Sequence, residues 1–182
     1  MTYGEAKSRV LKILDETKPK ADVLNKLPSF FDIAQLEVAA IAPLKKSVIL
    51  EKGKGEFSVA LPADFWKVRR VWSIDSEGNR TAFDRFFAYP HELRVFIAGE
   101  LTLELEYNAR PTTIDENTAD EWELELSDEA NDAMIFFVAA QCHSTEYDQR
   151  FFNSFYAQYQ GRLQNLAANE PAVATVVGGG GW

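Results

Sequence analysis

The chain has 182 residues, of which 46% are hydrophobic and 13% aromatic, and its formal net charge is −9 at pH 7. This composition predicts one domain with a sizeable core and excludes a disordered chain as the default interpretation. The longest apolar run (133–140) is too short to span a bilayer, the first residues contain no signal-peptide segment, and the single cysteine, Cys142, excludes an intrachain disulfide, so we expect a cytosolic protein at synthesis with no membrane partner.

The first predicted elements are two helices. Thr2 and Glu5 have the spacing of a capping box, and apolar residues then recur at helical spacing, which predicts a helix over 3–16. A second apolar pattern predicts a helix over 29–42, with Pro28 at its first turn.

From about residue 47 the hydrophobic period changes to two, which predicts strands. SVIL at 47–50 and FSVALP at 57–62 flank the sequence EKGKGE and predict a hairpin. A third strand is predicted over 68–75, followed by a turn at SEGN. Residues 92–107 predict a second hairpin with Ala98 and Gly99 at its turn.

Strict alternation follows that predicted turn. Polar residues at Thr102, Glu104 and Glu106 alternate with apolar residues, which predicts a sheet with one buried and one solvated face. The apolar residues are Leu101, Leu103, Leu105 and Tyr107. Trp122, Leu124 and Leu126 repeat the pattern against glutamates.

Two helices are predicted to close the fold. Ser127 can cap a helix over 128–144, and a last helix is predicted over 147–168, where two rows of aromatic residues read as packing stripes. We therefore expect a single α+β domain over 1–168. It would be a terminal α-helical bundle (helices in 3–42 and 127–168) with an inserted antiparallel β-sheet region at about 45–126 and an extended C-terminal arm at 169–182.

The negative charge is concentrated in residues 115–132, here called the acidic segment. It contains nine carboxylates and no Lys or Arg, so the remaining residues sum to zero: Asp115, Glu116, Asp120, Glu121, Glu123, Glu125, Asp128, Glu129 and Asp132. One interpretation is a solvated loop that leads into a helix start. The other is a surface that repels an anionic partner.

The sequence contains no convincing catalytic, cofactor or metal motif. Cys142 and His143 are adjacent on a predicted helix and therefore point about 100° apart, which does not suit one shared metal ion. The glycine run at 178–181 is not followed by the helix that a phosphate-binding loop requires, and the acidic segment lacks the glycine and glutamate positions of a calcium loop. We expect no cofactor, no metal and no enzymatic activity.

The last residues, TVVGGGGW at 175–182, combine glycines, which are costly to order, with a tryptophan, a residue typical of interface anchors. This pattern predicts an arm that docks on a partner. A disordered tail or an expression scar is the alternative.

Three segments together resemble the head-tail adaptor proteins of tailed bacteriophages. They are LPADFWKVRRV (61–71), GELTLELEYNARPTTI (99–114) and LSDEANDAMIFFVAAQCHSTEYDQRFFNSFYAQYQGRL (126–163). In that family a Leu-Pro-x-Asp-Phe element enters a strand, a later Leu-x-Leu-x-Tyr strand leads to a proline, and a long helix pair comes last.

The resemblance implies a structural virion protein. It would form a dodecameric ring that joins the portal vertex to the tail and lets double-stranded DNA pass without sequence-specific binding. Its partners would be the portal protein, neighbouring copies of itself, and a tail or tail-terminator/nozzle protein. It would be located in the virion neck after assembly in the bacterial host cytoplasm.

The resemblance also implies two sites. The C-terminal arm would dock on the portal through Val173, Val176, Val177, Gly178, Gly179, Gly180, Gly181 and Trp182. The acidic surface would face the DNA channel through Asp115, Glu116, Asp120, Glu121, Glu123 and Glu125. The alternatives to an adaptor are another neck protein, a small soluble hydrolase-like enzyme, or a host binding module with a C-terminal Trp anchor.

Overall fold

The computed structural model describes residues 1–15, 21–145 and 149–169, without the side chains of 51–54, 98–100 and 144–145. The chain divides into two compact units. The helical unit is Met1–Leu44 together with the described residues from Pro111 to Asn169, and the sheet unit is Lys45–Arg110. Helices and antiparallel strands are both present, which confirms the predicted α+β class.

The helical unit contains α1 (Tyr3–Ile13), α2 (Ala21–Ile41), α3 (Asp128–Thr145) and α4 (Gln149–Asn169). The predicted capping box of α1 is confirmed, because the Glu5 amide donates to Thr2 Oγ1 (3.2 Å) and the Thr2 amide donates to Glu5 Oε2 (3.0 Å). The predicted cap of α3 is also confirmed, since the Ala130 amide donates to Ser127 Oγ (3.3 Å). Both starts depend on neighbouring residues in sequence, which is why they were predictable.

The predicted start of α2 was wrong. The helix begins at Ala21 and contains Pro28 in its interior, where proline removes one backbone hydrogen bond at a cost of about 3 kcal/mol. Val23 and Leu27 are buried on the same stripe as Phe31, and burying two such side chains contributes about 1.5–3 kcal/mol each. Their burial offsets the defect at Pro28.

The core of the helical unit surrounds α3, which packs against α1, α2 and α4. Tyr3 meets Phe31 edge-on with 5.4 Å between ring centroids, and Phe137 meets Tyr159 at 5.1 Å. Tyr159 is buried, as expected of a packing stripe, whereas Phe151 at the start of α4 is half exposed. The aromatic rows therefore pack increasingly well along α4.

The sheet unit contains five strands: β1 (Leu44–Ala60), β2 (Phe65–Ile74), β3 (Arg80–Ala82), β4 (Phe86–Ala88) and β5 (Glu92–Ala109). The strand order is β1-β5-β2-β3, and β4 also pairs with β5. The predicted turn at 76–79 is confirmed between β2 and β3. There Asp75 Oδ1 accepts the Glu77 and Asn79 amides (2.9 Å each) and Gly78 has φ +87°.

The predicted hairpin at Ala98 and Gly99 was wrong, because β5 runs through both residues as one strand. Its first part pairs with β4, with Val95 opposite Phe86, and its second part pairs with β2, with Leu105 opposite Val71. A two-residue turn would have placed positions 95 and 102 on the same face. The buried hydrophobic residues are instead all odd-numbered on both sides of that point: Leu93, Val95, Ile97, Leu103, Leu105, Tyr107 and Ala109.

The predicted turn at 51–56 was also wrong, since β1 is one strand throughout this segment. The less exposed residues change from even positions (Val48, Leu50) to odd positions (Phe57, Val59) across it. Gly55 lies at this change of phase with φ +81°. A glycine in this conformation is typical of a bulge, which shifts the phase of a strand without ending it.

The two predicted faces of β5 are confirmed only in part. The apolar face is buried, but Glu104 on the other face is also buried, with Arg80 Nη2 2.9 Å from its Oε2 atom. The expected solvated face therefore contains a buried, paired carboxylate.

Trp122, Leu124 and Leu126 belong to the helical unit and not to the sheet. The Tyr3 amide donates to the Trp122 carbonyl (2.8 Å) and the Leu124 amide donates to the Met1 carbonyl (3.1 Å). Leu124 and Leu126 are buried in the helical core. Across the residues that the structure describes, no helix is long and apolar enough to cross a membrane.

Candidate functional site

The structure describes one of the two predicted sites. The arm residues Val173, Val176, Val177, Gly178, Gly179, Gly180, Gly181 and Trp182 lie outside the described residues. The acidic segment is described in full and forms part of the helical unit.

Cations of the N-terminal segment contact part of the acidic segment. Lys7 Nζ is paired with Asp120, Arg9 Nη1 lies 3.0 Å from Asp132 Oδ1, and the N-terminal ammonium lies 3.8 Å from Asp128 Oδ1. These groups are more than 100 positions apart in sequence, so composition along the acidic segment did not reveal them. Three of the nine carboxylates are therefore partly neutralised.

Gly4 makes the approach of α1 to the acidic segment possible. Its amide donates to the Asp120 carbonyl (2.9 Å), and a Cβ atom at this position would lie 2.9 Å from Asp120 Cβ. Any side chain here would push the two segments apart. A glycine in the first turn of a well-capped helix was the sequence signal for this contact.

Two further carboxylates shape the backbone. Asp115 Oδ1 accepts hydrogen bonds from the Asn117 amide (2.9 Å) and the Thr118 hydroxyl (3.2 Å). These hydrogen bonds lower the pKa of Asp115, and the bond from the Asn117 amide has the largest effect. Glu125 Oε2 accepts the Thr112 amide (2.6 Å). These two carboxylates hold the backbone of the acidic segment in place through hydrogen bonds.

Glu116, Glu121, Glu123 and Glu129 remain exposed, and in the described part of the chain they have no ion pair. Asp120 and Glu121 line an open groove together with Glu5 of α1. The negative charge of the acidic segment also acts on the core. The pKa of Tyr3 is raised to about 12, mainly because the hydroxyl is buried and further because Asp120 and Asp115 lie nearby. The acidic surface is smaller than the sequence suggested but still strongly negative.

The residues weighed for metal binding are occupied otherwise. Cys142 is buried, and the His143 ring stacks on Phe151 and Phe155, with centroid distances of 5.1 and 5.5 Å. Over residues 1–15, 21–145 and 149–169 the structure has no group of three His, Cys, Asp or Glu side chains suited to a metal ion.

The Leu61–Phe65 element forms a junction in the sheet unit through Asp64. Its Oδ2 atom lies 2.8 Å from Lys46 Nζ of β1, and its Oδ1 atom accepts the Tyr107 hydroxyl of β5 (3.0 Å). Its carbonyl accepts the Arg110 amide (2.7 Å). The aspartate of this motif therefore ties the start of β2 to β1 and to the end of β5, which gives it a structural role.

Comparison with known proteins gives a family for this chain. A search of curated proteins finds no match. A family model described as SU10 adaptor protein matches residues 1–178, which covers both units and the first part of the C-terminal arm. The chain therefore belongs to the SU10 adaptor protein family, a family of phage adaptor proteins, and is a structural component of the virion neck.

Proposed function

We propose that this protein is a ring-forming head-to-tail adaptor that joins the portal vertex to the tail and lets DNA pass through its lumen. The match to the SU10 adaptor family over 1–178 carries this proposal. Its partners would be the portal protein, neighbouring copies of itself and a tail or tail-terminator/nozzle protein. The ring, which we propose is dodecameric, has a mechanical and electrostatic role and needs no catalytic residue.

The acidic surface would face the DNA channel. Glu116, Glu121 and Glu123 are exposed and have no ion pair among the described residues, and Asp115 and Glu125 accept backbone hydrogen bonds. Asp120 is the exception, because Lys7 pairs with it. A negatively charged lumen does not bind phosphates, so DNA would slide through it and not adhere.

The C-terminal arm would dock on the portal. The family match extends to residue 178 and so includes Val173, Val176 and Val177, which supports a role for the arm in this family. Burying the ring of Trp182 contributes about 5 kcal/mol, whereas ordering the arm costs roughly 1–2 kcal/mol per residue. The valines must therefore be buried as well, and the glycines would let the backbone pass a narrow crevice.

The docking test compares three proteins with purified cognate portal: the full chain, the chain truncated after Asn169, and a full-length control in which Glu170 is replaced by Gln. We expect the full chain and the control to co-sediment with the portal and the truncated chain to bind at least tenfold more weakly. We also expect all three to have the same melting temperature, because the last core residue among the described residues is Leu166, which precedes the arm. Equal binding by the truncated chain would contradict arm docking, and failure of all three to bind would contradict the adaptor proposal.

The acidic surface is tested by charge reversal, with a control variant that changes the net charge by the same amount. The triple change Glu116→Lys, Glu121→Lys and Glu123→Lys is compared with a control triple at Glu56, Glu77 and Asp84, which are exposed in the sheet unit. We expect particles assembled with the first variant to eject DNA more slowly, and particles with the control to eject at the wild-type rate. The same rate for both variants would refute the lumen assignment.

A further inference from the structure

The sheet unit contains a half-enclosed cavity of about 400 Å³ that none of the assignments above uses. It lies where the Leu61–Phe65 element meets the loop before β5 and the end of β5. Its walls are apolar and aromatic and its rim carries two basic side chains: Pro62, Phe65, Trp66 and Pro90 in the walls, and His91 and Arg110 at the rim.

Backbone hydrogen bonds fix the segments that form this cavity. The Leu61 amide donates to the His91 carbonyl (3.1 Å), the Phe65 amide to the Pro62 carbonyl (2.9 Å), and the Arg110 amide to the Asp64 carbonyl (2.7 Å). Each bond joins or tightens a segment that contributes to the walls. The cavity is therefore preformed, and a ligand would not have to order it on binding.

The chemistry of the cavity favours one class of ligand. Trp66 is 37% exposed beside two proline rings, and such walls are typical of sites that bind extended segments through proline or aromatic side chains. In the part of the chain that the structure describes, the Arg110 guanidinium and the His91 ring have no ion-pair partner. The nearby carboxylate of Asp64 does not balance them, because it is bound to Lys46 and Tyr107. A ligand that complements this rim carries carboxylates.

We propose that this cavity binds an extended acidic segment, with a proline or aromatic side chain, from a protein other than this chain. The C-terminal arm (169–182) meets this description only in part, because Glu170 is its single charged side chain whereas the rim carries two basic side chains. The acidic segment of a second copy does not fit either, because its aromatic residue, Trp122, packs against the core of its own helical unit. The site would give the protein a contact separate from the arm, and the proposal does not depend on the ring or on the portal.

The test uses the full-length protein labelled with ¹⁵N and two synthetic probes, acetyl-Gly-Glu-Pro-Phe-Glu-Gly-amide and acetyl-Gly-Lys-Pro-Phe-Lys-Gly-amide. The indole N–H signal of Trp66 is identified by its loss in Trp66→Phe. We expect the acidic probe to shift this signal and to leave the Trp122 signal in place, and the basic probe to shift neither. Arg110→Glu should weaken the acidic probe at least tenfold and allow the basic probe to bind, whereas Arg85→Glu, an exposed control in the same unit, should change neither.

Three outcomes would overturn the proposal. They are the absence of a Trp66 shift at 5 mM acidic probe, equal affinity for the two probes, and an affinity that Arg110→Glu leaves unchanged while the spectrum remains that of the folded protein. Because portal protein is absent from this experiment, its result is independent of the adaptor proposal.

Discussion

The replacement Asp64→Asn tests the reasoning about the sheet unit. Asp64 joins three parts of that unit, since it contacts Lys46 of β1 and Tyr107 of β5 from the start of β2. Asparagine keeps the shape of the side chain and removes its charge. The backbone bond from Arg110 to the carbonyl of residue 64 should persist.

The expected loss follows from the two side-chain bonds. A hydrogen bond to a charged group contributes about 1.5–3 kcal/mol and a neutral one about 0.5–1.5 kcal/mol, so each bond loses about 1 kcal/mol. The side chains of Lys46 and Asp64 are 38% and 32% exposed, which places the pair at the low end of these ranges. We expect a total loss of about 2 kcal/mol. For a chain of this size that corresponds to a fall in melting temperature of about 4–8 °C.

The pH dependence of this loss has a definite sign. Burial opposes ionisation of Asp64, but the hydrogen bonds from Lys46 and Tyr107 outweigh it and lower the pKa of its carboxyl group in the folded state. A carboxylate with a lowered pKa stabilises the fold above its unfolded-state pKa of about 3.9, and this stabilisation is lost as the pH falls towards the folded-state value. The difference in free energy of unfolding between wild type and Asp64→Asn should therefore be constant from pH 7 to pH 5 and smaller at pH 3.

Differential scanning calorimetry at pH 7, 5 and 3 measures this difference. Asp84→Asn is the matched control, because Asp84 is an exposed aspartate of the same unit without a partner in the described part of the chain. Its free energy of unfolding should be within 0.5 kcal/mol of the wild-type value, a range typical of surface substitutions. A loss below about 0.5 kcal/mol for Asp64→Asn at pH 7, or an equal loss at pH 7 and pH 3, would refute the reasoning.

Three further changes test the helical unit by thermal or urea unfolding. Leu27→Ala should lose about 3 kcal/mol because Leu27 is fully buried, whereas Leu24→Ala, at an exposed position of the same helix, should lose under 0.5 kcal/mol; similar losses would contradict the assignment of the buried stripe. Pro28→Ala should stabilise the protein by about 1 kcal/mol, since it restores a backbone donor inside α2, and destabilisation would show that Pro28 packs favourably. Tyr3→Phe should be within about 0.5 kcal/mol of wild type at pH 7, because the buried hydroxyl has no hydrogen-bond partner among the described residues. The pKa of Tyr3 is raised to about 12, so ionisation of this hydroxyl disfavours the folded state. As the pH rises from about 10 to 12, the free energy of unfolding should therefore fall more for wild type than for Tyr3→Phe. Equal falls for the two proteins would contradict this.

The sequence predicted some parts of the candidate sites and not others. The nine carboxylates of the acidic segment were countable from the sequence, and four of them proved to be exposed with no ion pair or hydrogen bond in the described part of the chain. Which carboxylates are neutralised was not predictable, because Lys7 and Arg9 reach them only after α1 docks beside Asp120. The cavity beside Trp66 also went unpredicted, since its walls come from three segments between residues 61 and 110. The arm residues remain a prediction.

The sequence by itself determined the features that depend on a few neighbouring residues. The caps at Thr2 and Ser127, the turn at Asp75 and the alternation along β5 all follow from side chains that interact within about four positions or from a repeat of two. Tertiary structure decided the features in which local preference competes with distant contacts. Burial of Val23 and Leu27 stabilised α2 across Pro28, and pairing with β4 and β2 kept β5 continuous where glycine suggested a turn. In each case the free energy of burial or strand pairing exceeded a local cost of a few kcal/mol, and only the folded chain supplies those partners.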